Sequence, residues 1–407
     1  MPSSAPPAPG DSPASAELRG MSRMIARSRH ETHRAATPLE LLFDLCFVVA
    51  VAQANSRLVH AFAESHWQQG ITGYLAVFFA IWWAWMNFTW FASAYDTDDA
   101  LYRVVTLVQI TGVLILAAGV PRAFDDGDFT LAVIGYVVMR LALTFQWLRA
   151  AHGSADPAER RVARRYAAGL VLTQLGWIGM LFVPDAVRGY VFVALMLAEL
   201  AVPVVAERDW ATHWHPHHIA ERYGLFTLIV LGETIAGATI AVQQAVDGDG
   251  HGSLDGLVPL AAGGLLIVFC AWWIYFAVPI HEHLASNRQG FVWGYGHFLV
   301  FAAAAAIGAG VELAVEQTVG EAHLSERAAT AAVTVPAALF FLVVWLLHAR
   351  HFKRTMVQQL TLPAGALAIL LCTLAGSAGV PLAGVAAALT VAVGHTLSRR
   401  GAQAVAA

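Results

Sequence analysis

Two short stretches hold residue types that do chemistry. The first is Pro38-Leu-Glu-Leu-Leu-Phe-Asp, which places Glu40 and Asp44 four residues apart. Residues four apart share one face of a helix. Pro38 suits a first helical turn and Thr37 suits the cap before it. Two stacked carboxylates bind a cation, share a proton or pair with an arginine. The plainer alternative is that they stabilise the positive end of the helix and face lipid headgroups.

The second stretch runs from His217-His218-Ile-Ala-Glu221-Arg222 to Gly232-Glu233-Thr. His217 and Glu221, and His218 and Arg222, are spaced four apart; His218 and Glu221 are three apart. Glu233 follows Glu221 by twelve residues, about 18 Å of helix, which sets it deep in an apolar run. A carboxylate there serves a proton or cation, or makes a hydrogen bond between helices. Gly224, Gly232 and Gly237 would let a neighbouring helix come close. Arg140 lies in another apolar run and needs a carboxylate, with Asp44 and Glu199 as the choices. Asn87, Gln109 and Gln146 add polarity, and His297 sits inside a further run. A metal reading gathers His218, Glu221, His281 and His283, although no His-Glu-x-x-His pattern occurs. Solvated loop histidines are the alternative, and no other cofactor is expected. Trp82, Trp83, Trp272 and Trp273 suit an aromatic wall, interface belts or ordinary packing.

The elements that position these residues are membrane helices. Of 407 residues, 58% are hydrophobic and only 13% charged, about half the charge of a soluble domain. Lipid covers what a soluble surface of this composition could not. The expected fold is all-α, a polytopic transmembrane bundle of about twelve spans. They run roughly over 37–60, 71–93, 101–120, 129–150, 166–184, 187–206, 217–243, 257–280, 291–314, 328–348, 359–375 and 380–398. Basic residues collect in the N-terminal segment, around Arg160 to Arg165, at Arg350 to Arg354 and at Arg399 and Arg400. With twelve spans these fall on one side, so both termini are expected in the cytoplasm.

The halves resemble each other. Trp82 and Trp83 match Trp272 and Trp273 at an offset of 190, and Glu40 matches Glu221 at 181. Residues 35–206 and 207–400 would then be parallel six-helix repeats, with a cavity between them. Chance likeness among tryptophan-rich helices is the alternative. Residues 1–34 read as a disordered or amphipathic cytoplasmic segment without a signal peptide. Cys46, Cys270 and Cys372 lie in apolar runs and form no framework. Only one lysine, Lys353, occurs, which argues against a buried Schiff base, and no basic block suits nucleic acid.

Three segments together resemble the bacterial low temperature requirement A (LtrA) family. They are Thr37-Pro-Leu-Glu-Leu-Leu-Phe-Asp-Leu-Cys-Phe-Val-Val-Ala-Val-Ala-Gln, Tyr95-Asp-Thr-Asp-Asp and His218-Ile-Ala-Glu-Arg-Tyr-Gly-Leu-Phe-Thr-Leu-Ile-Val-Leu-Gly-Glu-Thr-Ile. The resemblance covers roughly residues 30–400 and implies a multi-pass membrane protein. It implies no defined activity. The leading expectation is a proton- or cation-coupled secondary transporter of a small solute, with Glu40, Asp44, Asn87, Arg140, His218, Glu221, Arg222 and Glu233 as coupling or substrate residues. An intramembrane metal enzyme and a membrane sensor or scaffold are the competing classes. The expected partners are the lipid bilayer and a small solute or ion, with a homo-oligomer left open.

Overall fold

The computed structural model describes residues 22–27, 34–247 and 254–406. The N-terminal segment expected to be disordered therefore lies mostly outside the described residues, as does part of the acidic loop after Asp247. Among the described residues the regular structure is helical, with no strand. In chain order the helices are α1 (Pro38–Ala63), α2 (Trp67–Tyr95), α3 (Ala100–Asp125), α4 (Thr130–Gly153), α5 (Pro157–Met180) and α6 (Asp185–Ala206). They continue with α7 (Pro216–Asp247), α8 (Leu254–Tyr275), α9 (Asn287–Val319), α10 (Glu326–Leu347), α11 (Met356–Leu371) and α12 (Gly379–Ala406).

Ten stretches among the described residues are long and apolar enough to cross a membrane. The stretch Met356–Arg400 takes in both α11 and α12, and α5 is not among the ten. Four arginines in the first part of α5 shorten its apolar portion. The break between α11 and α12 is a short 3-10 stretch, Cys372–Ala378. Gly376 turns there at φ +58°, a backbone state that favours glycine, and its carbonyl accepts from Thr330 Oγ1 at 2.8 Å.

The helix starts follow local chemistry. Thr37 caps α1, its side chain accepting from the Glu40 N–H, while Glu40 Oε2 accepts from the Thr37 N–H at 2.8 Å. This reciprocal cap satisfies two backbone donors in the first turn. Asp156 caps α5, and Ser286, Ser325 and Thr355 cap α9, α10 and α11. Each start follows a capping residue that ends the connection before it.

The chain forms two compact units. The first comprises Phe91–Gly112 and Tyr136–Trp214 with the described residues 22–27; the second comprises 34–90, Val113–Gly135 and the described residues from His215 onward. In the first unit, Trp147 stacks on Tyr166 at 4.1 Å and meets Phe91 and Tyr95 edge-on. Asp99 sits in the connection between α2 and α3. It accepts from Ser22, the Tyr102 N–H and Arg149. Burial alone would raise this carboxyl, but those hydrogen bonds outweigh it and hold it down at about 2.

In the second unit, α9 packs along α7 and α10. Small residues set the close approach. A Cβ on Gly310 would fall 2.2 Å from the Ala332 carbonyl oxygen, so α9 and α10 touch backbone to backbone there. The glycine expected to do this beside Glu233 does not: a Cβ on Gly232 would meet nothing within 4 Å. Gly232 lies on the exposed face of α7. The two tryptophan pairs also part company. Trp82 and Trp83 are buried against Phe79, Tyr295 and Phe298. Trp272 and Trp273 are about half exposed, so they do not join Trp82 and Trp83 in an inner wall.

Candidate functional site

The first stretch of the sequence meets the second. His218 Nε2 lies 3.2 Å from Glu40 Oε1 and 3.3 Å from Oε2. Facing a carboxylate, that nitrogen carries its hydrogen and donates. Arg222 grips Asp44 with two bonds, Nε to Oδ2 at 3.1 Å and a terminal nitrogen to Oδ1 at 2.5 Å. Both contacts span 178 residues. A constant offset at two successive rungs means that α1 and α7 run in the same direction with their four-residue spacings in register. Each acid on α1 finds a nitrogen donor one rung across on α7.

Further groups close this ladder. The second terminal nitrogen of Arg222 stands 2.9 Å from Glu40 Oε1, a charge contact without hydrogen-bond alignment. Arg34 approaches the same oxygen at 3.8 Å. Trp85 donates its indole N–H to Asp44 Oδ1 at 2.7 Å, and Arg222 reaches Thr89 Oγ1 at 3.4 Å. The side chains of Glu40, Asp44, His218 and Arg222 are 0–1% exposed. Two guanidiniums and two carboxylates sum to zero charge with His218 neutral. A buried ion pair is tolerated when charges match and hydrogen bonds use its lone pairs, as those from Arg222 and Trp85 do at Asp44. The bidentate fork explains the arginine, since a lysine offers only a point charge.

An aromatic and histidine layer lies over the ladder. Trp85 stacks on Phe226 at 4.5 Å and meets Tyr223 and Phe301 edge-on. Trp90 donates to the Tyr223 hydroxyl at 2.9 Å. Beyond Tyr223, His297 Nε2 lies 3.0 Å from the Tyr275 hydroxyl and 3.4 Å from His348 Nε2. His297 Nδ1 lies 2.7 Å from the Trp293 carbonyl, which makes it a donor. His297 and His348 are both fully buried.

The other expected site residues fall elsewhere. Glu221 is half-buried and makes no ion pair or hydrogen bond among the described residues; its Oε2 is shielded from solvent. Asn87 turns its amide onto the Trp83 carbonyl at 2.7 Å, within its own helix. Arg140 belongs to the first unit, where it pairs with Glu199 at 3.1 Å and lies over the Tyr136 ring. Trp177 holds the other oxygen of Glu199 at 3.0 Å. Of the two partners considered for Arg140, the fold chooses Glu199.

Glu233 stands apart from the ladder. It is half-buried on α7, as are Glu312 and Glu316 on α9. Glu312 is within electrostatic range of both Glu233 and Glu316. Glu316 also feels His60 and Glu321. Gly237, one turn beyond Glu233, faces Glu312: a Cβ there would lie 3.8 Å from its Oε2. None of the three acids has an ion pair among the described residues.

The four residues considered for a metal do not converge. His218 is taken by Glu40, while His217 faces His281 at 5.1 Å. His283 stacks on His351 at 3.8 Å. Among the described residues no three His, Cys, Asp or Glu side chains form a metal-holding group. Sequence reasoning missed Arg34, Trp85 and Thr89 as ladder partners, and His348 as the partner of His297. A signal for the ladder itself was present: two four-residue spacings of complementary chemistry.

Residues 35–394 match the model of a family described as bacterial low temperature requirement A protein (LtrA). An uncharacterized protein, RA0937, of Rhizobium meliloti (strain 1021) is 28% identical over 268 residues. That match covers 62% of this chain and 60% of the relative, so less than two thirds of the relative's length is spanned.

Proposed function

The chain belongs to the bacterial low temperature requirement A family, and we propose that it is a proton- or cation-coupled secondary transporter of a small solute. One observation carries this reading. Three carboxylates, Glu233, Glu312 and Glu316, lie half-buried on apolar helices with no ion pair among the described residues. Like charges in a low-dielectric setting hold a proton or a cation among them. In this reading Glu233 exchanges the coupling ion. The ladder of Glu40, Asp44, His218 and Arg222 holds α1 and α7 in register, and protonating Asp44 releases Arg222. Asn87, Arg140 and Glu221 are secondary candidates.

The arrangement we favour is twelve spans in a bacterial inner membrane, with both termini cytoplasmic. The asymmetry of lysine and arginine supports that orientation. The parallel run of α1 and α7 supports two parallel halves, 35–206 and 207–400, because corresponding helices of parallel repeats enter the membrane alike.

A second reading, a membrane sensor or scaffold, is favoured by the closed, neutral ladder, which suits a purely structural network. The test is proton movement in sealed proteoliposomes, with an interior pH dye and a panel of solutes. Wild type is compared with Glu233→Gln at matched reconstitution. Substrate-dependent proton flux that disappears in the variant supports coupled transport. A variant that loses protein yield, beside a wild type that moves no proton with any solute, supports the scaffold.

A further inference from the structure

A groove of about 420 Å³ opens where the start of α9 meets the end of α10, within the size range of roughly 300–1,000 Å³ usual for small-ligand clefts. Its polar side carries Arg288, Arg350, His283 and His351, and no carboxylate lines it. Neither arginine has a carboxylate within ion-pair distance among the described residues. Arg350 turns instead toward His351 at 3.5 Å. The two imidazoles stack at 3.8 Å with their planes 22° apart. Ser286 and Gln289 complete this side at the N-terminus of α9, a helix of 33 residues whose dipole adds positive potential. Four basic side chains and a helix start, with no carboxylate among the lining residues, make a site of positive potential suited to an anion.

The opposite side is apolar. Trp293 and Leu347 form a closed floor at 2% and 6% exposure. Val292 and Leu346 form an open wall at 60% and 41% exposure, on the outward faces of α9 and α10. The groove therefore offers charge at its water-facing end and a hydrocarbon track leading outward from it. Another arginine cluster, on α5, shows the contrast. Arg160, Arg161, Arg164 and Arg165 line a shallow surface there with only Pro157 and Ala168 beside them.

We propose that the α9–α10 groove binds a phosphate-bearing anion, and that its source is an anionic phospholipid of the surrounding bilayer. The phosphate lies between Arg288 and Arg350, where planar guanidiniums form paired N–H···O bonds. His283 and His351 add further donors, and an acyl chain follows Val292 and Leu346. This site is independent of the transport reading: it uses none of the acids on α1 or α7.

The experiment uses the full chain purified in a neutral detergent. The probes are dihexanoyl phosphatidylglycerol, dihexanoyl phosphatidylcholine and inorganic phosphate, each titrated below micelle-forming concentrations with binding followed calorimetrically. The expected result is saturable binding of the phosphatidylglycerol, weakened about tenfold or more by Arg288→Gln with Arg350→Gln. The phosphatidylcholine binds far more weakly, and Arg160→Gln with Arg161→Gln changes nothing. Val292→Ser with Leu346→Ser weakens the lipid several-fold without touching phosphate binding, which separates headgroup from chain. All three pairs of changes are at exposed or half-exposed positions, and an unchanged elution profile confirms the fold. Inorganic phosphate that binds as tightly as the lipid keeps the anion site and overturns the lipid source. Non-saturable binding, or equal loss in the α5 variant, overturns the site.

Discussion

Replacing Arg222 by methionine should be among the most damaging single changes to the ladder, and the contacts say why. Arg222 makes two bonds to Asp44 and a close charge contact with Glu40. Its removal leaves two buried carboxylates facing one guanidinium, Arg34, at 3.8 Å from Glu40. Asp44 then retains only the Trp85 indole. Breaking a buried pair in this way costs about 3–5 kcal/mol, because one charge stays behind without compensation. Asp44→Asn should cost less, about 2 kcal/mol, since Arg222 still has Glu40 beside it. Asp44→Leu combined with Arg222→Met removes both ends of the bidentate pair. It should recover much of the loss, with a coupling energy of about 2 kcal/mol or more. The assay is reversible denaturation of detergent-solubilised protein, read by tryptophan fluorescence, for Arg222→Met, Asp44→Leu and the double that combines them. Strictly additive losses would refute the reasoning, because they would mean that Arg222 and Asp44 act on separate neighbours.

Other outcomes follow from the same contacts. Asp99 has its carboxyl held at about 2 against an ordinary 3.8, so its contribution is present above 3.8 and is lost as the pH falls toward 2. After screening it amounts to about 1 kcal/mol, and the stability gap between wild type and Asp99→Asn should close over that acid window. Gly310→Ala should lower thermal stability by several degrees, since the added methyl meets the Ala332 carbonyl, whereas Gly232→Ala should leave the midpoint within a degree or so. Glu199→Ala should deprive Arg140 of its carboxylate and reduce yield by destabilising about 3 kcal/mol. Glu199→Gln, which can still accept the Trp177 hydrogen, should be milder in the same expression assay.

Much of the helical layout was legible because lipid demands long apolar runs and makes a charge within them conspicuous. Glu40, Asp44, Arg222 and Arg140 stood out for that reason, and all four have partners. Which partner each takes was harder to read. Arg140 had two candidates, and only the approach of α6 to α4 selected Glu199. The constant offset between Glu40–Asp44 and His218–Arg222 was available in the sequence. It gains meaning only once α1 and α7 are known to be neighbours. The surroundings of Gly232 and of Trp272 depend on which way a helix is rotated, and spacing in nearly uniform apolar sequence does not fix that rotation. The histidines dispersed because each ring found a nearer surface: Glu40 for His218, His281 for His217 and His351 for His283.

The 178-residue separation across the ladder has a bearing on biogenesis. At the usual 5–20 residues per second, the ribosome makes Arg222 about 9–36 s after Asp44. Through that interval α1 exists without the side chain that neutralises it. Arg34, made just before, can attend to Glu40, but nothing nearby in sequence does the same for Asp44. Either Asp44 enters the bilayer carrying a proton, or α1 waits at the membrane surface or beside the insertion machinery. Arrival of α7 ends the wait. A chain truncated before Arg222 should therefore leave α1 more easily extracted from membranes by alkali than a chain that extends past it.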